Sequence, residues 1–267
     1  MKQQATPHIK KQAKVHLKLS LKENAYGFLN QSLRNYRKPG SKLWEWPFGL
    51  LHMTQCLELL LKQLLKNIHP ILIYEDVDRP KHTVSLEQAL ARLENLEVEF
   101  EDKERRNIKK AAEYRNYVVH FEVEINKFEW KNVYAQLFEF VHFFHHKHLK
   151  SEIHKHIDKD NWSAEARLMR YFKKNIVVYN GVEMTKDNPK EILDAQRLTH
   201  FWFGRKAFPR FKYGDEPTWL EHDPSYAQIP CHDCGVLKGQ YHTDGCDVEE
   251  CPKCRKQLLG CGCWIDG

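Results

Sequence analysis

The sequence predicts a mainly α-helical protein, in which an antiparallel helical bundle is followed by a small strand-containing segment and a cysteine-rich C-terminal module. Apolar residues recur at helical spacing through residues 23–158. Several prolines and glycines, together with short β-rich runs such as NIVVYNG, lie in residues 159–226. Seven of the eight cysteines lie in the last part, residues 227–267.

The composition excludes a membrane-spanning protein and favours a cytoplasmic one. The chain has 267 residues, of which 42% are hydrophobic, enough for a sizeable core. No apolar run approaches the roughly 20 residues that a membrane-spanning helix needs. The N-terminal stretch MKQQATPHIKKQAKVHLKLSLK lacks the continuous apolar segment of a secretion signal.

Residues 1–22 form a basic arm with six lysines and no acidic residue, whereas the rest of the chain is electrically balanced. Such an arm suits either weak contacts with phosphates or simple solvation. Val15, Leu17, Leu19 and Leu21 alternate with polar residues, which predicts a half-buried strand within the arm.

The bundle is predicted to open with helices over residues 23–37 and 43–68. Pro39 and Gly40 end the first helix, and Pro47 lies near the start of the second, where proline is tolerated. The second helix has the strongest apolar pattern of the chain, and His69 with Pro70 closes it. A short strand is predicted at residues 71–74.

Three further helices complete the predicted bundle. Ser85 and Gln88 have the spacing of a capping box, which predicts a helix over residues 85–96. A charged helix follows at 102–122. A long helix is predicted to start at Asn126, with one apolar face made of Trp130, Val133, Leu137, Val141 and Phe144.

The C-terminal module contains four pairs of potential zinc ligands, and thiolates are good ligands for structural zinc. The spacing of its two C-x2-C pairs predicts a first zinc site made of Cys231, Cys234, Cys251 and Cys254. The remaining pairs predict a possible second site, interleaved with the first, and its members are His242, Cys246, Cys261 and Cys263.

Two questions about this module stay open at the level of sequence. The module holds either two zinc ions or one ion with reduced bystander thiols, while disulfides are disfavoured without a secretion signal. Its role is either to stabilise a segment poor in apolar residues or to contact a nucleic acid or protein partner.

The segment AAEYRNYVVHFE places Arg115 five residues before His120, an R-x4-H arrangement that is a weak signal alone. Together with LELLLKQLL and HPILIYEDVDRPKHTVSLEQAL, it makes residues 20–158 resemble the HEPN family, helical bundles with an R-x4–6-H motif. A polar residue usually follows the arginine in that family, and here it is Asn116. The tail GQYHTDGCDVEECPKCRKQLLGCGC resembles the zinc-binding tail of uncharacterised bacterial proteins.

The resemblance implies a metal-independent endoribonuclease with Arg115 and His120 as its catalytic residues and Asn116 in support. It implies RNA as the substrate, products with a 2′,3′-cyclic phosphate and a 5′-hydroxyl, and a homodimer in which two motifs meet. Toxins and antiviral defence effectors occur in the family, so an antitoxin or another regulatory protein is a possible partner.

Helix geometry agrees with a composite site, that is, a site made of residues from both chains of a dimer. Five residues rotate a helix by about 140°, so Arg115 and His120 do not share a face, whereas Asn116 and His120 do. Glu58 is either an exposed residue beside Thr54, Gln55 and Lys62 or, as the resemblance to a HEPN bundle implies, a group that orients Arg115.

Other interpretations of the sequence remain. A non-catalytic bundle would dimerise and sense a nucleotide or partner, while the tail and HFWFGRKAFPRFKYG contact nucleic acid. A catalytic zinc in the tail is disfavoured by the abundance of cysteine ligands. The histidines near the end of the long helix are predicted to be solvated, and they are His142, His145, His146, His148, His154 and His156.

Overall fold

A computed structural model describes residues 18–37, 45–120 and 127–263, with the backbone alone at positions 37, 120 and 127–129. Within these ranges the chain is mainly helical, as predicted, with two small sheets in its C-terminal half. The expected strand around Val15 lies largely outside the described residues, as does the expected cap at Asn126.

The N-terminal part of the fold is a bundle of helices built around α2. Helix α1 packs along α2, and α2 also contacts α3, α4 and α5. This arrangement follows from sequence, because α2 is leucine-rich on most of its surface and buries residues on several sides. The five helices are α1 (Leu21–Arg37), α2 (Glu45–Ile68), α3 (Leu86–Asn95), α4 (Asp102–His120) and α5 (Lys127–Leu149).

Helix ends are set by local hydrogen bonds. At the start of α3, Ser85 Oγ accepts from the Gln88 backbone N–H at 3.2 Å, and Gln88 Oε1 accepts from the Ser85 N–H at 2.7 Å. This confirms the predicted capping box. Ser20 and Glu23 bond to each other in the same reciprocal way, so α1 begins at Leu21, within the segment predicted as a strand.

The strand predicted at residues 71–74 is wrong. Pro70–Ile73 form a 3₁₀ turn, and only Tyr74 makes a bridge, with Thr83. Pro70 opens the turn because its ring fixes φ at a helical value, and the His69 ring accepts from the Ile71 N–H at 3.3 Å. A run of four apolar residues after a proline is too short to distinguish the two conformations.

Helix α5 is buried on more than the one predicted face. The expected face is largely buried, including Trp130, Leu137 and Phe144, but Phe138 and His145 are also fully inaccessible. The reason is tertiary: α5 contacts α2 and α4, and also α6 and the turn at Ile153–His156.

The C-terminal half consists of short helices and two hairpins. Strands β1 and β2 pair antiparallel through the turn at Asn180 and Gly181, which have φ values of 55° and 82°. This left-handed turn matches the twist of paired strands. The elements are α6 (Trp162–Met169), β1 (Ile176–Tyr179), β2 (Val182–Thr185), α7 (Asn188–Ala195), β3 (His200–Phe203), β4 (Lys206–Pro209) and α8 (Pro217–His222).

One hydrophobic core runs from the bundle into the cysteine-rich residues. It includes Leu57 of α2 and Phe138 of α5, and it continues through Met184 to Val236 and Cys231. A second, smaller cluster joins Phe201 and Phe203 of β3 to Cys251 and Cys263. Among the described residues, no helix combines the length and the hydropathy needed to cross a membrane.

Candidate metal centres and R-x4-H motif

The first candidate metal centre consists of Cys231, Cys234, His242 and Cys246, whose ligand atoms all lie within 4.8 Å of one another. All four residues are buried. The sulfur atoms of Cys231 and Cys246 are 3.8 Å apart. A tetrahedral ion with metal–sulfur distances of about 2.3 Å would separate two sulfurs by about 3.8 Å. The donor set and its spacing therefore suit a four-coordinate metal ion.

A tight turn presents the first two sulfurs. The Cys231 N–H donates to the Val236 carbonyl at 2.9 Å, and the Gly235 N–H donates to the Cys231 carbonyl at 2.8 Å. Gly235 has a φ of +72°, and a Cβ at this position would lie 2.5 Å from the Met184 side chain. Glycine is needed here both for the backbone conformation and for the close approach of β2.

The imidazole of His242 is oriented by an acidic residue outside the ligand set. Its Nδ1 lies 3.3 Å from Cys234 Sγ and 3.2 Å from Cys246 Sγ, and its Nε2 lies 2.7 Å from Glu216 Oε1. Both His242 and Glu216 are fully buried. A carboxylate that accepts from the distal nitrogen fixes the tautomer in which Nδ1 is free to bind metal.

The thiols of this centre are placed so that ionisation is favoured at one of them. Hydrogen bonding with Cys231 and Cys246 holds the pKa of the Cys234 thiol far below its usual range. A thiolate is the form that binds metal.

The side chain of Arg210 joins the first centre to the neighbouring elements. Its guanidinium bonds to the buried carboxylate of Glu249 at 2.7 Å and donates to the His242 carbonyl at 2.7 Å. It also donates to the carbonyl of Leu198, between α7 and β3, at 3.0 Å. The loops of the first candidate centre are therefore tied to the segment that precedes them.

The second candidate centre consists of Cys251, Cys254, Cys261 and Cys263, again with all ligand atoms within 4.8 Å. Its turn repeats the first one: the Cys251 N–H donates to the Lys256 carbonyl at 2.8 Å, and the Arg255 N–H to the Cys251 carbonyl at 2.9 Å. Arg255 has a φ of 65°, so an arginine takes the left-handed position that Gly235 fills in the first turn. Cys254 and Cys261 are half-buried, so this centre lies nearer the surface.

The structure divides the eight ligands differently from the predicted interleaved sets. Each C-x2-C turn is completed by the next two ligands along the chain, so Cys251 and Cys254 do not join Cys231 and Cys234. The physical reason is proximity, because His242 and Cys246 follow the first turn directly and reach it before the second turn begins. All eight cysteines of the chain are free thiols, and none forms a disulfide.

The R-x4-H motif lies at the end of α4. Arg115 is half-buried and aligns with the buried Ile108 and Ala111, whereas Asn116 is exposed on another side of the helix. Within the described residues, Arg115 forms no hydrogen bond and no ion pair. His120 is the last residue of α4, and its side chain lies outside the described part. The helix is unbroken between the two positions, so they are rotated by about 140°.

Glu58 is buried, not exposed as one sequence interpretation had it. Its carboxylate accepts from Lys62 Nζ at 2.6 Å, and Lys62 also donates to Thr83 at 3.0 Å. The hairpin-like segment before α3 covers this part of α2 and removes both charges from water. No described contact joins Glu58 to Arg115.

The histidines at the end of α5 are not uniformly solvated as predicted. His142 and His145 are buried because α6 and the turn at Ile153–His156 pack against α5, and His154 of that turn is buried against Tyr179 of β1. His154 bonds to the buried Glu165 at 2.7 Å, and Tyr26 bonds to His145 at 2.9 Å. Within the described residues these histidines do not form a group with metal-ligand spacing.

Comparison with known proteins finds no matching family model, no matching curated protein and no matching solved structure. The fold and the sites define a helical-bundle protein whose C-terminal residues form two sulfur-rich clusters suited to metal ions.

Proposed function

We propose that the protein is a metal-independent endoribonuclease of HEPN type that acts as a homodimer, with two structural zinc ions in its C-terminal module. The observation that carries the nuclease assignment is the environment of Arg115. Arg115 is a half-buried residue whose guanidinium has no ionic partner among the described residues, so it is available to bind an anion. The phosphate of RNA is such an anion, and the arginine fork matches its geometry.

The chemistry assigned to the motif is the cleavage of RNA by its own 2′-hydroxyl. His120 takes or returns the proton, since imidazole exchanges protons near neutral pH. Arg115 neutralises the charge that develops on the phosphate, and Asn116 supports the substrate from the exposed side of α4. The 2′-oxygen bonds to phosphorus while the bond to the 5′-oxygen breaks, which leaves a 2′,3′-cyclic phosphate and a 5′-hydroxyl.

Two features support a homodimeric site. Positions 115 and 120 lie on different sides of α4, so one chain does not bring them together by helix geometry alone. Tyr117 and Val119 lie within the motif, on opposite sides of α4, and are 43% and 52% exposed. Exposed apolar side chains on both sides of this helix end favour contact with another protein surface, here a second copy.

The nuclease assignment is tested by RNA cleavage in EDTA, mild enough to leave tightly bound zinc in place. We expect wild-type protein to yield cyclic-phosphate ends and His120→Ala to yield none. Cleavage that persists in His120→Ala would refute the assignment.

The composite site is tested by mixing two inactive variants, Arg115→Ala and His120→Ala. In a two-fold dimer each site takes one residue from each chain, so a mixed dimer contains one intact site. Re-assembled mixtures should recover about a quarter of wild-type activity, since half of the dimers are mixed and each has one of two sites. A mixture that remains inactive, although mass spectrometry detects mixed dimers, would contradict the composite arrangement.

The zinc assignment rests on the donor sets, since thiolate and imidazole ligands in closed tetrahedral sites favour zinc. Purified protein should contain two zinc ions per chain by elemental analysis. Cys246→Ser and Cys263→Ser should each contain one, and protein with iron in place of zinc would refute the metal identity.

A second candidate function, a non-catalytic binding protein, is favoured by a cleft of about 980 Å³ at the C-terminal hairpin. Trp202 of β3 is 62% exposed there, and Glu191 and Asp244 line the same cleft. An exposed aromatic group among acidic residues suits a basic protein partner, such as an antitoxin, better than RNA. RNA binding without cleavage products, or a partner retained by this cleft without nuclease activity, would favour this alternative.

A further inference from the structure

The outer face of α4 carries three exposed cations, Arg106, Lys109 and Lys110, which we name the α4 stripe. Within the described part of the chain, none of the three forms a hydrogen bond or an ion pair. The stripe therefore leaves its positive charge available to a ligand.

The other charges near the start of α4 are already used within the fold. Arg105 pairs with Glu94 at 2.5 Å and with Asp102 at 2.9 Å. Lys147 of α5 pairs with Glu104 at 3.2 Å. These pairs fasten α4 to α3 and α5. These paired residues differ from the cations of the stripe, which have no such partner among the described residues.

The stripe is aligned with the proposed active site. On an ideal helix, positions 106, 109, 110 and 113 share one side with positions 116 and 120, opposite to Arg115. Lys110 lies about 9 Å and Arg106 about 15 Å from Asn116 along the helix axis, at a rise of 1.5 Å per residue. An extended polyanion that follows this side of α4 meets the stripe before it reaches the end of the helix.

The character of this face selects a nucleic-acid backbone over a lipid surface. Ile108, Ala111 and Ala112 are buried, so no apolar side chain lies among the cations of the stripe to enter a membrane; Tyr117, 43% exposed, lies on the same side further along α4. Glu113 is the acidic residue on the same side, between the stripe and Asn116. It is exposed and would weaken the attraction of a polyanion.

We propose that the α4 stripe binds the phosphate backbone of the RNA substrate and leads it to the end of α4. This inference rests on the proposed nuclease function, since it names the path by which the substrate reaches that site. The contacts are electrostatic and independent of base sequence.

The test measures binding and cleavage separately, in the full chain. Binding of a short unstructured, fluorescein-labelled RNA is measured with His120→Ala protein, which does not consume the probe. Adding Arg106→Gln, Lys109→Gln and Lys110→Gln should weaken binding about tenfold and reduce the slope of log K against log salt by about 2. In wild-type background the same three changes should raise KM and leave kcat within about twofold.

Two controls separate the stripe from net charge. Arg79→Gln, Lys81→Gln and Lys238→Gln remove the same charge from exposed positions on other segments and should leave the salt slope unchanged. Glu113→Gln should tighten binding, because it removes the repulsive charge beside the stripe.

The outcomes distinguish this inference from the nuclease assignment. If the stripe variant keeps the wild-type KM and salt slope while His120→Ala abolishes cleavage, the stripe proposal is overturned and the nuclease stands. If the two charge-matched triple variants lose binding equally, the proposal is also overturned. Loss of binding in the stripe variant alone supports the proposal even where wild-type protein cleaves no RNA.

Discussion

The carboxylate of Glu216 lies 2.7 Å from Nε2 of His242, while the other ring nitrogen faces the sulfurs of Cys234 and Cys246. Glu216 also accepts from the Gly214 N–H at 2.8 Å and from the Tyr226 hydroxyl, so it is held in place. The first centre is therefore built from four ligands and one orienting carboxylate.

Glu216→Gln is expected to weaken metal binding at the first centre about 10- to 100-fold, because the neutral amide orients the imidazole less firmly and lowers its basicity. Competition with a chromogenic chelator measures this, and the second centre should keep its affinity. The matched control is Glu221→Gln on the exposed side of α8. Equal zinc affinity in the two variants would contradict an orienting role for Glu216.

The two centres should differ in their effect on stability. Cys246 belongs to the main hydrophobic core, whereas Cys263 belongs to the small cluster under β3. We expect Cys246→Ser to lower the free energy of unfolding by about 3–5 kcal/mol and Tm by about 10 °C. Cys263→Ser should have a clearly smaller effect on the melting of the helices, followed by circular dichroism at 222 nm. A larger effect of Cys263→Ser than of Cys246→Ser would contradict the continuity of the core between the bundle and the first centre.

The buried pair of Glu58 and Lys62 provides a third prediction. Lys62→Met leaves an unpartnered buried carboxylate and should lower the free energy of unfolding by about 3–5 kcal/mol. Glu58→Leu combined with Lys62→Met should recover most of that loss, as measured by urea unfolding. Lys190→Met, in a more exposed pair with Asp194, should cost less than about 1 kcal/mol.

The same double variant tests the remaining role considered for Glu58. If Glu58 orients Arg115, the double variant will be stable and yet slow in RNA cleavage. Wild-type cleavage by a stable double variant would assign the pair to the fold alone.

Acid should destabilise the protein partly through His142. Burial lowers the pKa of this histidine to about 3, assisted by His146, His145, His154 and Lys174 nearby. The unfolded chain therefore takes up the proton first, near its ordinary pKa of about 6.5. The stability that neutral His142 contributes is complete above about pH 6.5 and is lost as the pH falls towards 3.

Urea unfolding between pH 6 and pH 4 measures this contribution. Relative to wild type, His142→Leu should reduce the pH slope of the unfolding free energy by about 1.4 kcal/mol per pH unit. His82→Leu, at an exposed position outside the groups that shift the His142 pKa, is the control and should leave the slope unchanged. The wild type and both variants retain the metal ligands. The acid sensitivity of the centres therefore contributes equally to each pH slope and cancels in the comparison. Identical slopes for wild type and His142→Leu would contradict the prediction.

The parts of the fold that sequence predicts well are those set by local interactions. The capping box at Ser85 and Gln88 defines the start of α3, and the leucine pattern of α2 defines the centre of the bundle. The residues 71–74 were misassigned because a four-residue apolar run has no periodicity to read.

The candidate sites show what the sequence does not predict, namely interactions that depend on the tertiary fold. The spacing in the sequence identifies all eight potential metal ligands. Which C-x2-C turn is completed by His242 with Cys246, and which by Cys261 with Cys263, depends on how the chain folds back. Glu216 is 26 residues from His242 and belongs to no motif, so sequence gives no sign of its role. The burial of His142 likewise depends on residues that follow α5 in the chain, such as Phe172, whose ring centroid lies 5.5 Å from that of His142.

Because Cys231 and Val236 belong to the same core as the bundle, the helices complete their packing only after the last residues of the first centre have been synthesised. During translation, the segments that carry Arg115 and His120 precede the closing ligands by more than a hundred residues. If the first centre holds metal as proposed, maturation of the bundle depends both on release of the tail from the ribosome and on capture of the ion. Metal supply would set how much protein reaches its working form.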